Sequence, residues 1–356
     1  MEEINLNLND FVNTSVNDLM NCLNDLKVTK PPGGNAKKEL EKYASDIVFN
    51  RRKSSTIIAM RKFHNWVKRT IIVNVVDYYS NHVKHSEKIY LLDIAVGRGG
   101  DIDKWDQALV TGVFGFDPSE DSINSLDPFN QGAKARLLNY KVNVKVQFEI
   151  GNALAPSPEL ISKINNFLKN ESTPKFQIVS CQFALHYFFK SQTDLKIVLT
   201  FVSSYLKKGG FFIGTTIDGE KIKKLFDVGV SKTYSEDLFT IERHFNKKLI
   251  SPYNNKYNFT INDINDQGNY FNTMGISTEY LVNFKELNTV AQSVGLIPVN
   301  LNFFESYIKE GKKVYTNLQS NIIPFDDILE IYKGKNLSDG ENNLNKLYST
   351  FVFIKA

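Results

Sequence analysis

The stretch "LLDIAVGRGGDIDKW", residues 91–105, runs from an apolar segment directly into a turn with three glycines. An apolar β-strand that ends in such a turn lets main-chain N–H groups approach a ligand closely, because glycine carries no Cβ. The spacing D-x-A-x-G-x-G-G differs from the G-x-G-x-x-G pattern of dinucleotide-binding folds and lacks the G-K-[ST] ending of a P-loop. The stretch therefore predicts an α/β fold with a ligand site at this turn and argues against a bound triphosphate.

An acid further along the chain narrows the kind of ligand. Asp117 ends the next β-rich run, 20 residues after Gly97. A carboxylate at this position can accept hydrogen bonds from both hydroxyls of a ribose. The two features together favour an adenosine ligand without a diphosphate. S-adenosylmethionine fits, since its cationic sulfonium and amino groups tolerate nearby acids such as Asp93 and Asp101. A glycine-rich turn taken alone can also serve packing only.

The composition of the 356 residues is that of a globular chain, with 42% hydrophobic and 23% charged residues. No apolar run reaches the roughly 18 residues of a membrane span and no signal peptide opens the chain, so we expect a soluble protein without a membrane partner. Cys22 and Cys181 have no metal or disulfide spacing, which predicts no bound metal and fits a reducing compartment. The net charge of +4 is mild, but basic residues gather over 37–69, where they could face phosphates.

The chain is expected to divide into an N-terminal extension, residues 1–50, and one large domain, residues 51–356. The extension contains "KPPGGN" (30–35), in which proline and glycine interrupt any helix. Helix-like spacing of apolar residues predicts one long amphipathic helix over 55–80. Five β-rich runs then alternate with longer segments, as in a doubly wound parallel sheet. They cover 90–95, 113–116, 146–150, 176–181 and 211–215.

The rest of the domain adds a further helix and further strands. "DLKIVLTFVSSYLKKGG" (194–210) predicts a helix that ends at Gly209 and Gly210. Three later runs are predicted to be strands that close the sheet by antiparallel pairing, with a helix over 284–294 among them. They are "GISTEYLVNF" (275–284), "LIPVNLNFF" (296–304) and "LYSTFVFIKA" (347–356).

From about residue 50 to the C-terminus, the sequence resembles the mRNA cap guanine-N7 methyltransferases. "QFALHY" (182–187) is similar to the Q-F-x-x-H-Y motif of that family and is the most specific element. The other motifs follow in family order: "FHNWVKRTII" (63–72), the glycine stretch, "GFDPSEDSI" (115–123), "KKGGFFIGTTID" (207–218), "TEYLVNF" (278–284) and the last ten residues. The resemblance implies a Rossmann-like class I S-adenosylmethionine-dependent methyltransferase fold with cap-binding insertions. Its sheet would be seven-stranded and mostly parallel, with helices on both faces and an antiparallel C-terminal strand.

The resemblance also implies a set of cofactor-binding residues by matched position. Lys68 is similar to the lysine that reaches the methionine carboxylate, and Asp117 to the acid that binds the ribose. Asn152 stands where the family usually has an aspartate that contacts the adenine amino group, a bond that an amide oxygen can still accept. The full implied set is Lys68, Asp93, Gly97, Asp117, Asn152, Gln182 and Phe183.

The implied cap-binding residues form a second set. Glu279 resembles the acid that binds the guanine edge, and Asn65 the residue that contacts the cap ribose, one helical turn before Lys68. Arg98 and Arg136 are expected near the cap phosphates. The implied set is Asn65, Arg98, Arg136, His186, Tyr187, Glu279 and Tyr348.

Guanine N7 carries a lone pair and no proton, so methyl transfer to it needs no general acid or base, no metal and no covalent intermediate. The predicted catalysis is positioning, by Glu279, Phe183, His186 and Tyr187. Glu279 would stabilise the positive charge that develops on the guanine, and two aromatic rings would stack on the base. Taken singly, His186 would be interpreted as a core histidine, and Phe183 and Tyr187 as core aromatic residues.

Two other classes of function stay open at this point. One is a methyltransferase for another RNA position or a small molecule, and the other is a non-catalytic RNA-binding capping subunit. The expected substrate is RNA with a GpppN cap. An upstream triphosphatase and guanylyltransferase domain or a stimulatory subunit are possible further partners. The compositional bias resembles that of a large cytoplasmic DNA virus, so the expected location is the cytoplasm, in the viral factory, or the nucleus for a cellular enzyme.

Overall fold

The computed structural model describes residues 55–84, 87–127, 130–169, 174–262, 276–334 and 336–356. The predicted extension, residues 1–50, lies outside the described residues together with Cys22, so the division at residue 50 stays a prediction. None of the described helices combines the length and the apolar character that crossing a bilayer requires. Within the same ranges, no group of three His, Cys, Asp or Glu side chains is placed to hold a metal ion.

The described helices are α1 (Ile58–Tyr78), α2 (Ile102–Gln107), α3 (Glu120–Asn124), α4 (Ala133–Leu137), α5 (Pro158–Phe167), α6 (Gln192–Tyr205), α7 (Gly219–Lys224), α8 (Phe284–Ser293), α9 (Phe325–Ile331) and α10 (Asp339–Asn345). The described strands are β1 (Tyr90–Ile94), β2 (Gly112–Asp117), β3 (Lys145–Ile150), β4 (Phe176–Gln182), β5 (Leu206–Ile217), β6 (Thr233–Glu236), β7 (Phe239–Arg243), β8 (Lys256–Ile261), β9 (Ile276–Tyr280), β10 (Leu296–Pro298), β11 (Leu301–Lys309), β12 (Lys312–Asn317), β13 (Ile322–Pro324) and β14 (Tyr348–Lys355). A π-helical turn, Tyr79–Val83, continues α1, and a 3-10 turn, Leu185–Lys190, follows β4.

The long helix α1 confirms the helix predicted over 55–80. Its apolar side chains recur every three or four residues and are buried on one face, as Phe63, Val67, Ile71 and Val75 show. This face packs on the central sheet and brings the polar residues around position 65 to the edge where the parallel strands end.

The central sheet confirms the five predicted parallel strands, which lie in the order β3-β2-β1-β4-β5. The C-terminal strand β14 pairs antiparallel with β5, as predicted. Two short strands, β10 and β13, pair antiparallel with β14. The sheet in the described residues therefore has eight strands, one more than the predicted seven. The extra strand is the three-residue β13, which is too short to give an alternating pattern.

The predicted end of the helix after β4 is wrong. Helix α6 ends at Tyr205, and Gly209 and Gly210 already lie inside β5. Gly209 has φ +78°, and a Cβ on Gly210 would lie 2.7 Å from the carbonyl oxygen of Gln177 on β4. The glycines therefore allow close strand pairing and do not terminate the helix.

Two of the later runs do not close the central sheet as predicted. β9, from the first run, is the edge of a separate antiparallel sheet with the order β6-β7-β8-β9. Its residues alternate between exposed and buried, which suits a sheet with one solvated face. The second run splits, since only β10 joins the central sheet and β11 pairs with β12 in a two-stranded hairpin.

Helices cover both faces of the central sheet, as predicted. On one face, α1 packs with apolar residues of the sheet and with Phe303 and Tyr315 of the hairpin. On the other face, α5, α6 and α8 pack through residues such as Ile164, Val198 and Leu287. The carboxyl ends of the parallel strands lie between these layers, where α/β folds bind ligands.

Candidate active site

The glycine turn after β1 is hydrogen-bonded to the end of β2. The Gly97 N–H donates to Asp117 Oδ2 at 2.9 Å, and the Ser119 N–H donates to Asp117 Oδ1 at 2.9 Å. Gly97 has φ +54°, and an added Cβ would meet nothing within 4 Å. The structure thus brings together the two residues that the sequence paired across 20 positions, and it leaves space beside the turn.

Two buried acids, Asp93 and Asp101, and two lysines lie behind this turn. Lys68 Nζ of α1 lies 2.6 Å from Asp101 Oδ1, and Lys104 Nζ lies 3.2 Å from the same oxygen. Burial alone would raise the pKa of Asp101, but the two ammonium groups outweigh it and lower that pKa. Burial and the neighbouring charge of Asp101 raise the pKa of Asp93 well above its ordinary value. The site therefore holds a carboxyl group, Asp93, that a bound cation would help to ionise.

An aromatic cluster forms where α1, the end of β4 and the start of β14 meet. Phe183 has φ +56° and is fixed by its N–H, which donates to the Thr215 carbonyl oxygen at 2.8 Å. Its ring stacks on His64 at 4.9 Å between centroids and meets Tyr348 edge-on at 5.3 Å. Lys68 Nζ lies 5.8 Å from the centroid of the Phe183 ring. The cluster thus connects the predicted cofactor lysine with two predicted aromatic residues.

His64 was missed by the sequence analysis. It is buried four residues before Lys68, and its Nε2–H donates to Asn345 Oδ1 at 2.7 Å. Burial lowers the pKa of His64 to about 3, so the ring is neutral at pH 7. Asn65 is half-buried on the adjacent flank of α1, and its predicted contact with the cap ribose stays a prediction. The i, i+4 spacing to Lys68 is the signal that could have identified His64.

A second group of residues surrounds Glu279, which β9 brings to the site. Glu279 is 2% exposed, and its Oε2 accepts a hydrogen bond of 2.7 Å from Tyr257 Oη, on the neighbouring strand β8. The carboxylate and burial raise the pKa of Tyr257 well above its ordinary value, burial having the larger effect. The sequence predicted Glu279 but gave no sign of Tyr257, because the pairing of β8 with β9 is not a local feature.

His186 and Tyr187 face this carboxylate from the 3-10 turn after β4. His186 Nε2 lies 3.7 Å from Glu279 Oε1, and neither ring nitrogen of His186 has a hydrogen-bond partner among the described residues. Burial lowers the pKa of His186, while Glu279 opposes the change. Tyr187 is 44% exposed, and its Oη lies 3.2 Å from Ser277 Oγ on β9. A buried, unpartnered imidazole next to a buried carboxylate is typical of a site for a polar ligand.

The remaining predicted residues lie around the rim. Arg98 forms an ion pair with Asp121, and Arg136 Nη1 donates to the Arg98 carbonyl oxygen at 3.0 Å. Asn152 is exposed after β3, and its Oδ1 accepts from the Leu154 N–H at 2.9 Å. Gln182 Oε1 accepts from Thr215 Oγ1 at 3.0 Å, at the end of β4. The two arginines thus lie together, while their predicted contact with phosphates stays a prediction.

The fold and this site define a class of protein. A mostly parallel sheet with an antiparallel last strand, an open glycine turn after β1 and an acid at the end of β2 are the features of a Rossmann-like class I methyltransferase fold.

The comparisons with known proteins identify the family. Residues 36–356 match the mRNA (guanine-N(7))-methyltransferase domain, and the chain belongs to that family. Three curated relatives carry the name mRNA cap guanine-N(7) methyltransferase. The relative from Schizosaccharomyces pombe is 28% identical over 276 residues, 76% of this chain and 69% of its own length. The relative from Drosophila melanogaster is 28% identical over 73% of this chain and 58% of its own length. The relative from Caenorhabditis elegans is 34% identical over 48% of this chain and 42% of its own length.

Proposed function

We propose that the protein transfers the methyl group of S-adenosylmethionine to N7 of the guanine in GpppN-capped RNA. The observation that carries the proposal is the buried Glu279 carboxylate, which accepts a hydrogen bond from Tyr257 and faces His186, whose ring nitrogens have no hydrogen-bond partner among the described residues. This group lies beside the carboxyl end of β4, which ends next to the glycine turn. One binding region for an adenosine ligand and one for a polar base therefore adjoin each other.

The residues around the glycine turn fit S-adenosylmethionine. Lys68 can exchange its ion pair with Asp101 for the methionine carboxylate, and Asp93 can bind the amino group. Asp117 already accepts two N–H groups, and its remaining lone pairs can accept ribose hydroxyls. Asn152 and Gln182 lie at the ends of β3 and β4, where the adenine would be bound. When bound, this cofactor supplies a methyl group activated for attack by a nucleophile.

The chain's own part in the reaction is to bind and orient the guanine. N7 attacks with its lone pair and loses no proton, so no side chain has to act as a base. Glu279 can accept hydrogen bonds from the guanine edge, and its negative charge stabilises the guanine as positive charge develops. The lowered pKa of His186 keeps its ring neutral, so it adds no positive charge that would oppose this effect.

The aromatic residues shape the other walls of the pocket. His64 covers one face of Phe183, so a bound base could stack only on its other face. Tyr187 is partly exposed next to His186, with centroids 4.2 Å apart, and can present its ring to the base. Arg98 and Arg136 would then bind the triphosphate bridge from the rim.

The test is a transfer assay with labelled S-adenosylmethionine and RNA carrying an unmethylated GpppN cap. Digestion of the product would place the label in N7-methylguanosine, and the Asp93→Ala variant should lose it. Label in adenosine or in a ribose 2′-hydroxyl would show a different RNA methyltransferase. Cofactor binding without transfer to RNA would favour a small-molecule substrate or a non-catalytic subunit.

The finer partners and the location belong to the same proposal. The matched regions cover 69% of the length of the Schizosaccharomyces pombe relative and 58% of that of the Drosophila melanogaster relative. We also propose that this chain works with an upstream triphosphatase and guanylyltransferase domain or with a stimulatory subunit. Its turnover alone and after addition of the other capping activities of the same source would test this. We propose the cytoplasm as its location, with the viral factory or the nucleus as the other outcomes of imaging the tagged chain.

A further inference from the structure

We propose that the hairpin β11–β12 is a binding surface for the RNA chain that follows the cap. The proposed contacts are stacking of a base on Tyr307 and binding of phosphates by Lys309 and Lys312. The inference rests on the proposed function, because it concerns the same capped substrate.

One face of the hairpin is fixed to α1. Tyr315 Oη donates to the Asn74 carbonyl oxygen at 3.2 Å and lies 3.1 Å from Asp77 Oδ2. Lys313 Nζ donates to Asn74 Oδ1 at 2.6 Å. Because successive side chains of a strand point to opposite faces, the pairs Tyr307–Val314 and Lys309–Lys312 lie on the face away from α1. That outer face carries the exposed side chains of Tyr307, Lys309 and Lys312.

The outer face combines an exposed aromatic ring with unpaired positive charge. Tyr307 is 53% exposed. Lys309 and Lys312 are exposed and form no ion pair with any described residue. Glu310, at the turn between them, is the one acid at the tip. Lysines beside an aromatic ring match single-stranded nucleic acid, whose phosphates are negative and whose bases stack on aromatic side chains.

The hairpin lies on the same helix as the active site. Phe304 of β11 packs on Trp66 of α1 at 6.1 Å between ring centroids, two residues before Lys68. Asn74, which anchors the hairpin, comes six residues after Lys68, about 9 Å further along the helix axis. A transcript leaving the cap pocket along α1 therefore reaches Tyr307 within a few nucleotides. Single-strand-binding surfaces of this kind cover about 4–16 nucleotides.

The experiment compares a cap dinucleotide with a capped RNA of about 20 nucleotides, longer than such a surface covers. We expect the triple variant Tyr307→Ala, Lys309→Ser, Lys312→Ser to raise KM for the capped RNA about ten-fold or more, given the strength of base stacking and phosphate contacts. Its kcat and KM for the cap dinucleotide should equal those of the wild type. Activity of the wild type on the dinucleotide tests the proposed function separately, so failure of one inference does not hide the other.

Two further variants keep the test decisive if the triple variant folds poorly. Glu310→Lys adds positive charge to the same face and should lower KM for the capped RNA without changing the dinucleotide reaction. Lys196→Ser removes an exposed lysine on α6, on the opposite face of the central sheet, and should change neither constant. In the triple variant, RNA binding should also depend less on salt, since the loss of two phosphate contacts lowers the slope of log K against log salt by about 1.4. Unchanged KM and unchanged slope in the triple variant would overturn the proposal and leave the surface to a protein partner.

Discussion

Replacing Glu279 by glutamine removes one negative charge from the site and leaves its shape almost unchanged. The carboxylate is 2% exposed and already accepts a hydrogen bond from Tyr257. A glutamine side chain has the same size and can still accept that bond through its amide oxygen. The variant therefore separates the charge of residue 279 from its packing.

The size of the effect follows from the distance between this charge and the base. A guanine hydrogen-bonded to Glu279 would place its developing positive charge about 4–5 Å from the carboxylate, where two unit charges interact by about 3–4 kcal/mol at an effective dielectric of 20. The charge is only partly developed at the transition state, so we take about half of this, about 2 kcal/mol. That corresponds to a loss of kcat of about 30-fold.

The assay is steady-state methyl transfer to a cap dinucleotide, with kcat and KM measured separately. An interaction made mainly in the transition state should lower kcat more than it raises KM. Tyr257→Phe is the matched control, because it removes the hydrogen bond to Glu279 and keeps the charge, so its loss of kcat should be clearly smaller. A Glu279→Gln enzyme with kcat within two-fold of the wild type would refute the electrostatic role of Glu279.

Three further predictions concern the cofactor side of the site. His64→Asn should make the protein less sensitive to acid. The pKa of His64 is 6.5 in the unfolded chain and about 3 in the folded one, so the free energy of unfolding of the wild type falls as the pH drops below about 6.5. Urea unfolding at several pH values should show a smaller fall in the variant. Asp93→Asn should raise the melting temperature of the ligand-free protein above about pH 4, because the raised pKa of Asp93 makes its ionisation in the folded state unfavourable. Calorimetry should show weaker binding of S-adenosylmethionine to the variant. An unchanged affinity would contradict the role of Asp93 in binding the cofactor. Gly97→Ala should lower the free energy of unfolding by about 1–2 kcal/mol, because Gly97 has a positive φ, and the chain should still fold. In Gly214→Ala the new Cβ would lie 2.0 Å from the Cys181 carbonyl oxygen, so circular dichroism should show no folded protein.

The sequence allowed the central sheet to be predicted because its signals are local. Each parallel strand is an apolar run with a turn after it, and Asp117 could be placed opposite Gly97 because strands of one parallel sheet end at one edge. The glycines at 209 and 210 misled the prediction, since glycine ends helices and also permits close strand pairing. Only the neighbouring strand, through Gln177, decides between the two, and that neighbour is distant in sequence.

The site was predicted less completely than the sheet for a related reason. Resemblance to a motif identified Glu279, but the side chain that holds it, Tyr257, is set by the pairing of β8 with β9. On α1, Asn65 and His64 stand three and four residues before Lys68, so both lie near it on the helix, but only Asn65 was predicted to be part of the site. His64 stacks on Phe183 and so belongs to the aromatic cluster, while the contact of Asn65 with the cap ribose stays a prediction.

The residues that would bind the cofactor and the acid that would bind the guanine belong to different sheets. The glycine turn and Asp117 belong to the central sheet, while Glu279 belongs to the second sheet, β6–β9. The second sheet contacts the central one at the turn after β4, where Tyr187 and Ser277 lie within hydrogen-bond distance. The alignment of guanine N7 with the methyl group therefore depends on how β9 is seated against this turn. A change at Ser277 that shifts β9 should lower kcat while cofactor affinity stays constant, because the residues that would bind the cofactor remain in place.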